Sequence, residues 1–311
     1  MTSKRPIGSS GLSVAPLALG GNVFDWTADE NNSFAVLDAF VAAGGTMIDT
    51  ADVYSAWVPG HSGGESERLI GRWLKRTGKR DQVVIATKVG MMTGLKPETI
   101  QAACEASLER LGVETIDLYY QHKDDADVPL ADSLGAFDRL VKGGKVRAVG
   151  LSNFSAGRVD EAMAAAADNG LTAPTALQPW YNMVERQKFE GDLRDSAQRH
   201  GLAVFPYYSL ANGFLTGKYR SRDDLEKSPR GLRNLEYLDG KGPKILEALD
   251  AVAVESGASL AAIALAWTMA QPAITAPIAS ATSLSQAQEL VAALNLQLTP
   301  AQLDRLDAAS A

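Results

Sequence analysis

The sequence predicts an α/β protein: one closed (β/α)8 barrel, of the TIM-barrel class, formed as a single domain over residues 1–311. Three observations carry this expectation. Short apolar runs rich in strand formers recur eight times along the chain. Most are continuous rather than alternating, as parallel strands buried on both faces require. Helix-like segments separate them, and repeated strand–helix alternation closes into a barrel. No linker or shift in composition divides the 311 residues.

The elements follow in order. Residues 4–14, "KRPIGSSGLSV", read as a small N-terminal β-hairpin with a Gly/Ser turn, covering one barrel end. The strands are "APLALG" (15–20), "GTMIDT" (45–50), "VVIATK" (83–88), "IDLYYQH" (116–122), "VRAVGLS" (146–152), "TALQP" (175–179), "LAVFPYYS" (202–209) and "AITAPIAS" (273–280). "NNSFAVLDAFVAAGG" has helical apolar spacing and ends in glycine, a common stop. "KPETIQAACEASLERLG" opens on proline and closes on glycine, the asymmetry helices favour. Segments 129–145 and 190–201 repeat the scheme. Residues 211–243 form a long polar loop after the seventh strand, and loops of that length are usually functional or disordered. An open doubly wound sheet is the rival fold. It would carry G-x-G-x-x-G after its first strand, and "LALGGNVFDW" does not match.

Composition excludes several classes. The 30 basic and 37 acidic residues leave a net charge of −7, against a nucleic-acid surface or adhesion to anionic membranes. No run reaches the roughly 20 apolar residues of a membrane span, and the N-terminus lacks the apolar core of a signal peptide. The single Cys104 cannot form an internal disulfide, which suits a reducing, cytoplasmic location. It lies in an apolar-periodic helix, so it reads as a packed thiol. No H-x-x-x-H or C-x-x-C spacing occurs, and no metal is expected.

Active sites of such barrels sit at the C-terminal strand ends. Asp49 ends the second strand, with Tyr54 in the loop beyond; Lys88 ends the third and His122 the fourth. Ser152 and Asn153 end the fifth, and Gln178 ends the sixth. Taken singly, Asp49 reads as a cap, Tyr54 as a loop aromatic and His122 as a structural histidine. Lys88 is the exception, because a lysine closing a buried apolar strand needs a partner. Convergence from five strands marks a site. A phenol is a poor acid at neutral pH unless tuned, and a nearby ammonium lowers its pKa. Lys88 can supply that charge, held by Asp49, and His122 can donate to a substrate oxygen. The set suits proton transfer to a carbonyl oxygen. The accompanying hydride needs a nicotinamide cofactor, since no side chain provides one.

"IDTADVY", "ATK", "LYYQH", "GLSNF", "LQPWYN" and "FPYYSLANGFLTGKY" resemble the aldo-keto reductase superfamily, in order and nearly end to end. The resemblance implies a metal-free, NAD(P)H-dependent reductase of aldehydes or ketones. It maps the four catalytic positions onto Asp49, Tyr54, Lys88 and His122, with Tyr54 as general acid. It places Gly20 and Gly21 near the nicotinamide, and Ser152, Asn153 and Gln178 on the carboxamide. Tyr207 would stack on the nicotinamide ring, while Ser209, Leu210, Gly213 and Lys218 would embrace the pyrophosphate. In many NADPH-specific members, a basic residue after strand eight pairs with the 2′-phosphate. Here "IASATSLSQAQEL" (278–290) contains no Lys or Arg. Ser280, Thr282, Ser283 and Gln286 can still offer hydroxyls, an amide and N–H groups at a helix start. The cofactor expected is NADPH, with NADH open and dual use plausible, because a charge-assisted bond is missing. Leu290 takes the place of an asparagine that usually contacts adenine.

Phe24, Trp26, Trp57, Val58 and Trp180 fall in loops around the expected mouth. They can wall a substrate pocket or simply pack loop against barrel. "GHSGGESERLIG" (60–71) reads as a loop leading to a helix capped by Ser66 or Glu65, not as a phosphate loop. Asp52 reads as a loop residue bonding nearby backbone. A small carbonyl compound is the expected partner. Some relatives resemble potassium-channel β subunits, so a regulatory cofactor-binding subunit is the alternative. The particular carbonyl and the oligomeric state stay open.

Overall fold

The computed structural model describes residues 3–228 and 231–311. Strands β1 (Arg5–Pro6) and β2 (Ser13–Val14) pair antiparallel as the expected hairpin. Eight parallel strands follow: β3 (Ala18–Gly20), β4 (Met47–Asp49), β5 (Val84–Val89), β6 (Ile116–Gln121), β7 (Val146–Ser152), β8 (Ala176–Gln178), β9 (Ala203–Val204) and β10 (Ile278–Ala279). Sequence order is spatial order from β3 to β9, and β10 lies beside β3. The Thr275 N–H donates to Val204 O and the Ile278 N–H to Pro206 O, each at 2.8 Å. These bonds join the last strand to β9 and close the (β/α)8 ring. Each barrel strand leads to a helix, among them Glu30–Ala42, Glu65–Thr77, Pro97–Leu111 and Leu284–Ala292.

Alternation along the strands sorts side chains between two cores. Met47, Ala86, Leu118, Tyr120, Ala148, Ala176 and Phe205 fill the barrel. Ile48, Ile85, Tyr119 and Val149 face outward, under the helices. Lys88 is in register with Tyr120, and Tyr120 with Gly150. Gly150 lies against the Tyr120 ring with no space for a Cβ. A lysine and a tyrosine therefore sit in the same inner layer. The hairpin seals the N-terminal end. Its Ile7, Leu12 and Val14 join the inner core, and Arg5 Nη1 donates to the Ile274 carbonyl at 2.9 Å.

Residues 211–243 are more ordered than their polarity suggests. They contain short helical turns at Ala211–Thr216, Arg222–Lys227 and Gly231–Asn234, then the helix Leu235–Asp239; residues 229 and 230 lie outside the described residues. Phe214, Leu215, Tyr219, Leu225 and Tyr237 anchor the segment in the core. These anchors are spread thinly among charged residues, so no apolar run announces them. Among the described residues no single helix is long and apolar enough to cross a membrane. The apolar helix Leu260–Ala270 is almost wholly buried.

Candidate active site

The cluster begins with Lys88, a fully buried ammonium in the inner layer. It donates to Asp49 Oδ2 at 2.7 Å, to Thr50 O at 2.7 Å and to Tyr54 Oη at 3.2 Å. All three ammonium donors are thereby used. The second oxygen of Asp49 accepts from Gln178 Nε2 at 2.8 Å, tying β4 to β8. The His122 ring lies 6.0 Å from the Tyr54 ring, edge to face. Asp49, Tyr54, Lys88 and His122 thus come together, drawn from three adjacent strands and one loop. Tyr54 is half-buried, while Asp49, Lys88 and His122 are buried.

Burial sets the protonation states. Loss of solvent pushes the Asp49 carboxyl up, and Lys88 pulls it back. Burial works against the Lys88 ammonium, but Asp49 and Tyr54 outweigh it and hold the lysine above its ordinary value. His122 is held well below the usual histidine range, by burial first and Lys88 second. It is a neutral imidazole at neutral pH, and its Nδ1 finds no hydrogen-bond partner among the described residues. Tyr54 corrects the sequence-based expectation. Its phenol is raised, because burial outweighs the attraction of Lys88. Lys88 limits the rise rather than producing a net fall.

Several residues that the resemblance assigns to a cofactor also lie together. Ser152 Oγ donates to Gln178 O at 2.9 Å. Asn153, at a left-handed φ of 56°, donates through Nδ2 to His122 O at 2.8 Å and accepts from Tyr207 Oη at 2.6 Å. Beyond Tyr207 the backbone turns through positive φ at Tyr208, Ala211, Asn212 and Gly213. A Cβ on Gly213 would stand 3.0 Å from Lys218 Nζ, so a glycine leaves the ammonium room over the turn. The buried Oδ1 of Asn212 has no partner among the described residues. The exposed Lys218 ammonium beside this turn is a donor that suits an anionic diphosphate, whereas the Asn212 amide oxygen, an acceptor, does not. Leu210 is half-buried beside it, whereas the Ser209 hydroxyl is buried and donates to Pro206 O at 3.0 Å. Only the backbone of Ser209 remains for a ligand.

At the far end, Ser283 caps the helix Leu284–Ala292. Thr282 donates to Gln286 Oε1 through its N–H at 2.9 Å and its hydroxyl at 3.1 Å. Ser280 turns the other way. Its Oγ would meet a Cβ on Gly20 at 2.6 Å, and it donates to Asn22 Oδ1. Leu290 is buried in the outer core and offers adenine nothing.

The aromatic residues divide. Trp57 is 47% exposed, 5.8 Å from the Tyr54 ring and 5.5 Å from Trp26. Trp180 packs on Tyr208 at 4.6 Å and Tyr207 at 5.9 Å, and donates to Glu185 Oε2. Phe24 is not a pocket residue. It is fully buried in the outer core, where its apolar ring gains more from packing than from the mouth.

The sequence reading misassigned one side chain here, Ser66, and missed another, Glu67. Neither Ser66 nor Glu65 caps the helix Glu65–Thr77 through the N-cap position, which is Gly64 in a left-handed conformation. The Glu65 carboxylate instead accepts from Ser62 N–H and Gly63 N–H. Ser66 and Glu67 are completely buried. Glu67 accepts from Thr87 Oγ1 and Arg110 Nε, each at 2.6 Å. A signal was present: Glu67 falls on the apolar stripe with Ile70, Gly71 and Leu74, at i, i+3, i+4 and i+7. A carboxylate there demands a buried partner. Asp52 lies near this pair and is pushed up to about 7, by burial first and then by Glu67. Its carboxylate takes a backbone hydrogen bond from Val53, as the sequence reading expects of a loop residue, while Oδ1 lacks a partner among the described residues.

A family model described as "Aldo/keto reductase family" matches residues 16–311. The chain is 35% identical over 303 residues to "Aldo-keto reductase str7" of Strobilurus tenacellus, covering 94% of this chain and 85% of that protein. It is 31% identical over 320 residues to "Probable voltage-gated potassium channel subunit beta" of Arabidopsis thaliana, covering 97% and 95%. It is 32% identical over 306 residues to "Uncharacterized oxidoreductase YrpG" of Bacillus subtilis (strain 168), covering 94% and 91%. The chain belongs to the aldo/keto reductase family.

Proposed function

We propose that this protein is an NAD(P)H-dependent reductase that converts an aldehyde or ketone to an alcohol. The observation that carries the reading is the buried ammonium of Lys88, bonded at once to Asp49 and to the hydroxyl of half-buried Tyr54. Tyr54 gives its proton to the carbonyl oxygen as the general acid. Lys88 stabilises the phenolate that remains, and Asp49 keeps Lys88 charged and in place. Neutral His122 orients the carbonyl by donating a hydrogen bond. When bound, a reduced nicotinamide supplies the hydride. Ser152, Asn153, Gln178 and Tyr207 would hold its ring end, and Gly20 and Gly21 would line it. Leu210, Gly213, Lys218 and the Ser209 backbone would hold the diphosphate. Thr282 and Gln286 would meet the 2′-phosphate, with Ser280 nearer the nicotinamide side. NADPH is the proposed cofactor, with NADH admitted because no cation stands at 278–290. Trp57, Trp26 and Trp180 would shape the substrate pocket. A cytoplasmic setting completes the proposal, because it keeps the buried Cys104 thiol reduced.

The Arabidopsis relative keeps a second reading in view, that of a regulatory cofactor-binding subunit. Both cofactors should be titrated by fluorescence, followed by stopped-flow oxidation of the preferred one with a panel of aldehydes, ketones and keto-sugars. Carbonyl-dependent oxidation is expected. Tight cofactor binding with no oxidation by any member of the panel would favour the regulatory reading.

A further inference from the structure

The first turn of the helix Glu65–Thr77 reaches into the loops that carry the proposed chemistry. Thr50 Oγ1 donates to Ser66 Oγ at 2.8 Å, and Ser66 Oγ donates to Gly21 O at 2.8 Å. The Ser66 N–H donates to the Tyr54 carbonyl at 3.3 Å. One fully buried residue therefore touches the loop after β3 once and the loop after β4 twice. Gly21 is held from its other side as well, since its N–H donates to Asp49 O at 2.7 Å. A Cβ on Gly21 would come within 2.7 Å of Ser66 Oγ, so a glycine is needed for this bond to form. Thr50 in turn supplies the carbonyl that Lys88 Nζ donates to at 2.7 Å.

These contacts form a frame around the reacting groups: they bond the Tyr54 backbone carbonyl and the Lys88 ammonium but leave the Tyr54 hydroxyl to Lys88. Tyr54, Lys88 and Gly21 each sit one bond from Ser66 or from Thr50, its hydroxyl partner. Apart from these bonds, Tyr54 is held by its own N–H, which donates to Ala51 O at 3.2 Å, and by Lys88 at its hydroxyl. Rate depends steeply on the spacing between a proton donor and a hydride donor, and a displacement of about 1 Å can cost about 100-fold.

We propose that Ser66 is a positioning residue for carbonyl reduction: its hydroxyl and N–H set the spacing between the Tyr54 loop and the Gly20–Gly21 floor. This rests on the reductase reading above. Ser66 moves no proton to substrate. Its hydroxyl keeps the Thr50–Gly21 link closed in a site where an unmade bond would leave two buried polar atoms unpaired.

The test is a double-mutant cycle read by single-turnover oxidation of NADPH, with the most reactive carbonyl of the panel. Ser66→Ala should slow hydride transfer about tenfold in the otherwise native protein. In a Tyr54→Phe background the same substitution should cost at least about threefold less, because spacing to an absent acid has no value. An unchanged rate in Ser66→Ala, or the same fold loss in both backgrounds, would overturn the positioning role. Thr50→Val removes the donor to Ser66 while conserving shape, and serves if Ser66→Ala does not fold. It should show the same smaller loss beside Tyr54→Phe, and an equal loss in both backgrounds would again overturn the idea. Failure of the underlying reading looks different: Tyr54→Phe by itself would then retain full turnover.

Discussion

At the inner end of the site, Lys88 reaches Asp49 across 39 positions of sequence, and Gln178 reaches the same carboxylate across 129. At the outer end, Thr282, Ser283, Ser285 and Gln286 bond one another within their own turn, two to four positions apart. The inner groups are buried, and each fixes the next. The outer groups are half-buried or exposed, and Leu284 stands among them 45% exposed. A long-range buried network is preorganised and loses heavily when one member is removed. A local, solvated turn can change its ligand preference at small cost. The chemistry of this protein should thus be hard to alter, while its choice between NADPH and NADH should be easy to alter.

The largest expected effect is at Tyr54. Tyr54→Phe should lower kcat by about 10²–10⁴ with cofactor affinity nearly intact, since only the proton donor is lost. Steady-state rates with fluorescence titration check this, and an undiminished kcat would break the assignment. Lys88→Met comes next. It leaves Asp49 buried without its ammonium, at a cost of about 3–5 kcal/mol in stability, read by denaturant unfolding. In the protein that folds, Lys88 no longer restrains the Tyr54 phenol, so the alkaline limb of the rate profile should move to higher pH. A stationary limb would separate Lys88 from the acid step.

Asp52 shows what tight packing at the inner end costs. Burial beside Glu67 pushes its carboxyl up to about 7, with Arg110 and Lys88 pulling the other way. The folded state binds this proton more tightly than the unfolded chain, whose value lies near 3.9. The contribution is fully present below about pH 4, and is lost as pH rises through about 7. Asp52→Asn should therefore flatten that decline and add about 1–2 kcal/mol at pH 8. Unfolding curves at pH 5 and 8 that match the native protein would refute the strain. The smallest effect is expected at the outer end. Thr282→Arg should tighten NADPH relative to NADH by about tenfold, through a charge-assisted bond to the 2′-phosphate. An unchanged ratio of dissociation constants would mean that this turn does not read the phosphate.

The barrel was legible because its signals are local and repeated. Most strands announce themselves by a continuous apolar run, and five of them carry a polar residue where the chain emerges. Asp49, Lys88, His122, Ser152 and Gln178 could be placed on one face by counting strands alone. Tyr54 followed from its position in the next loop. Less visible were the residues whose meaning depends on what folds against them. Phe24 looks like a mouth residue in sequence, yet it is drawn into the outer core. The apolar anchors of 211–243 are scattered singly through a charged segment, so no local pattern reveals that they converge.

The sequence by itself determined the strand order, the face on which the polar groups gather and their chemical types. These depend on periodicity and residue identity, which act over a few positions. Tertiary structure decided that the Tyr54 phenol is raised rather than lowered, because desolvation is a property of the surrounding packing. It also decided that Ser66 ties two loops together rather than capping a helix, and that Glu67 bonds Thr87 and Arg110. Their side-chain partners lie between 16 and 45 positions away, and only closing the barrel brings buried donors and acceptors within bonding distance.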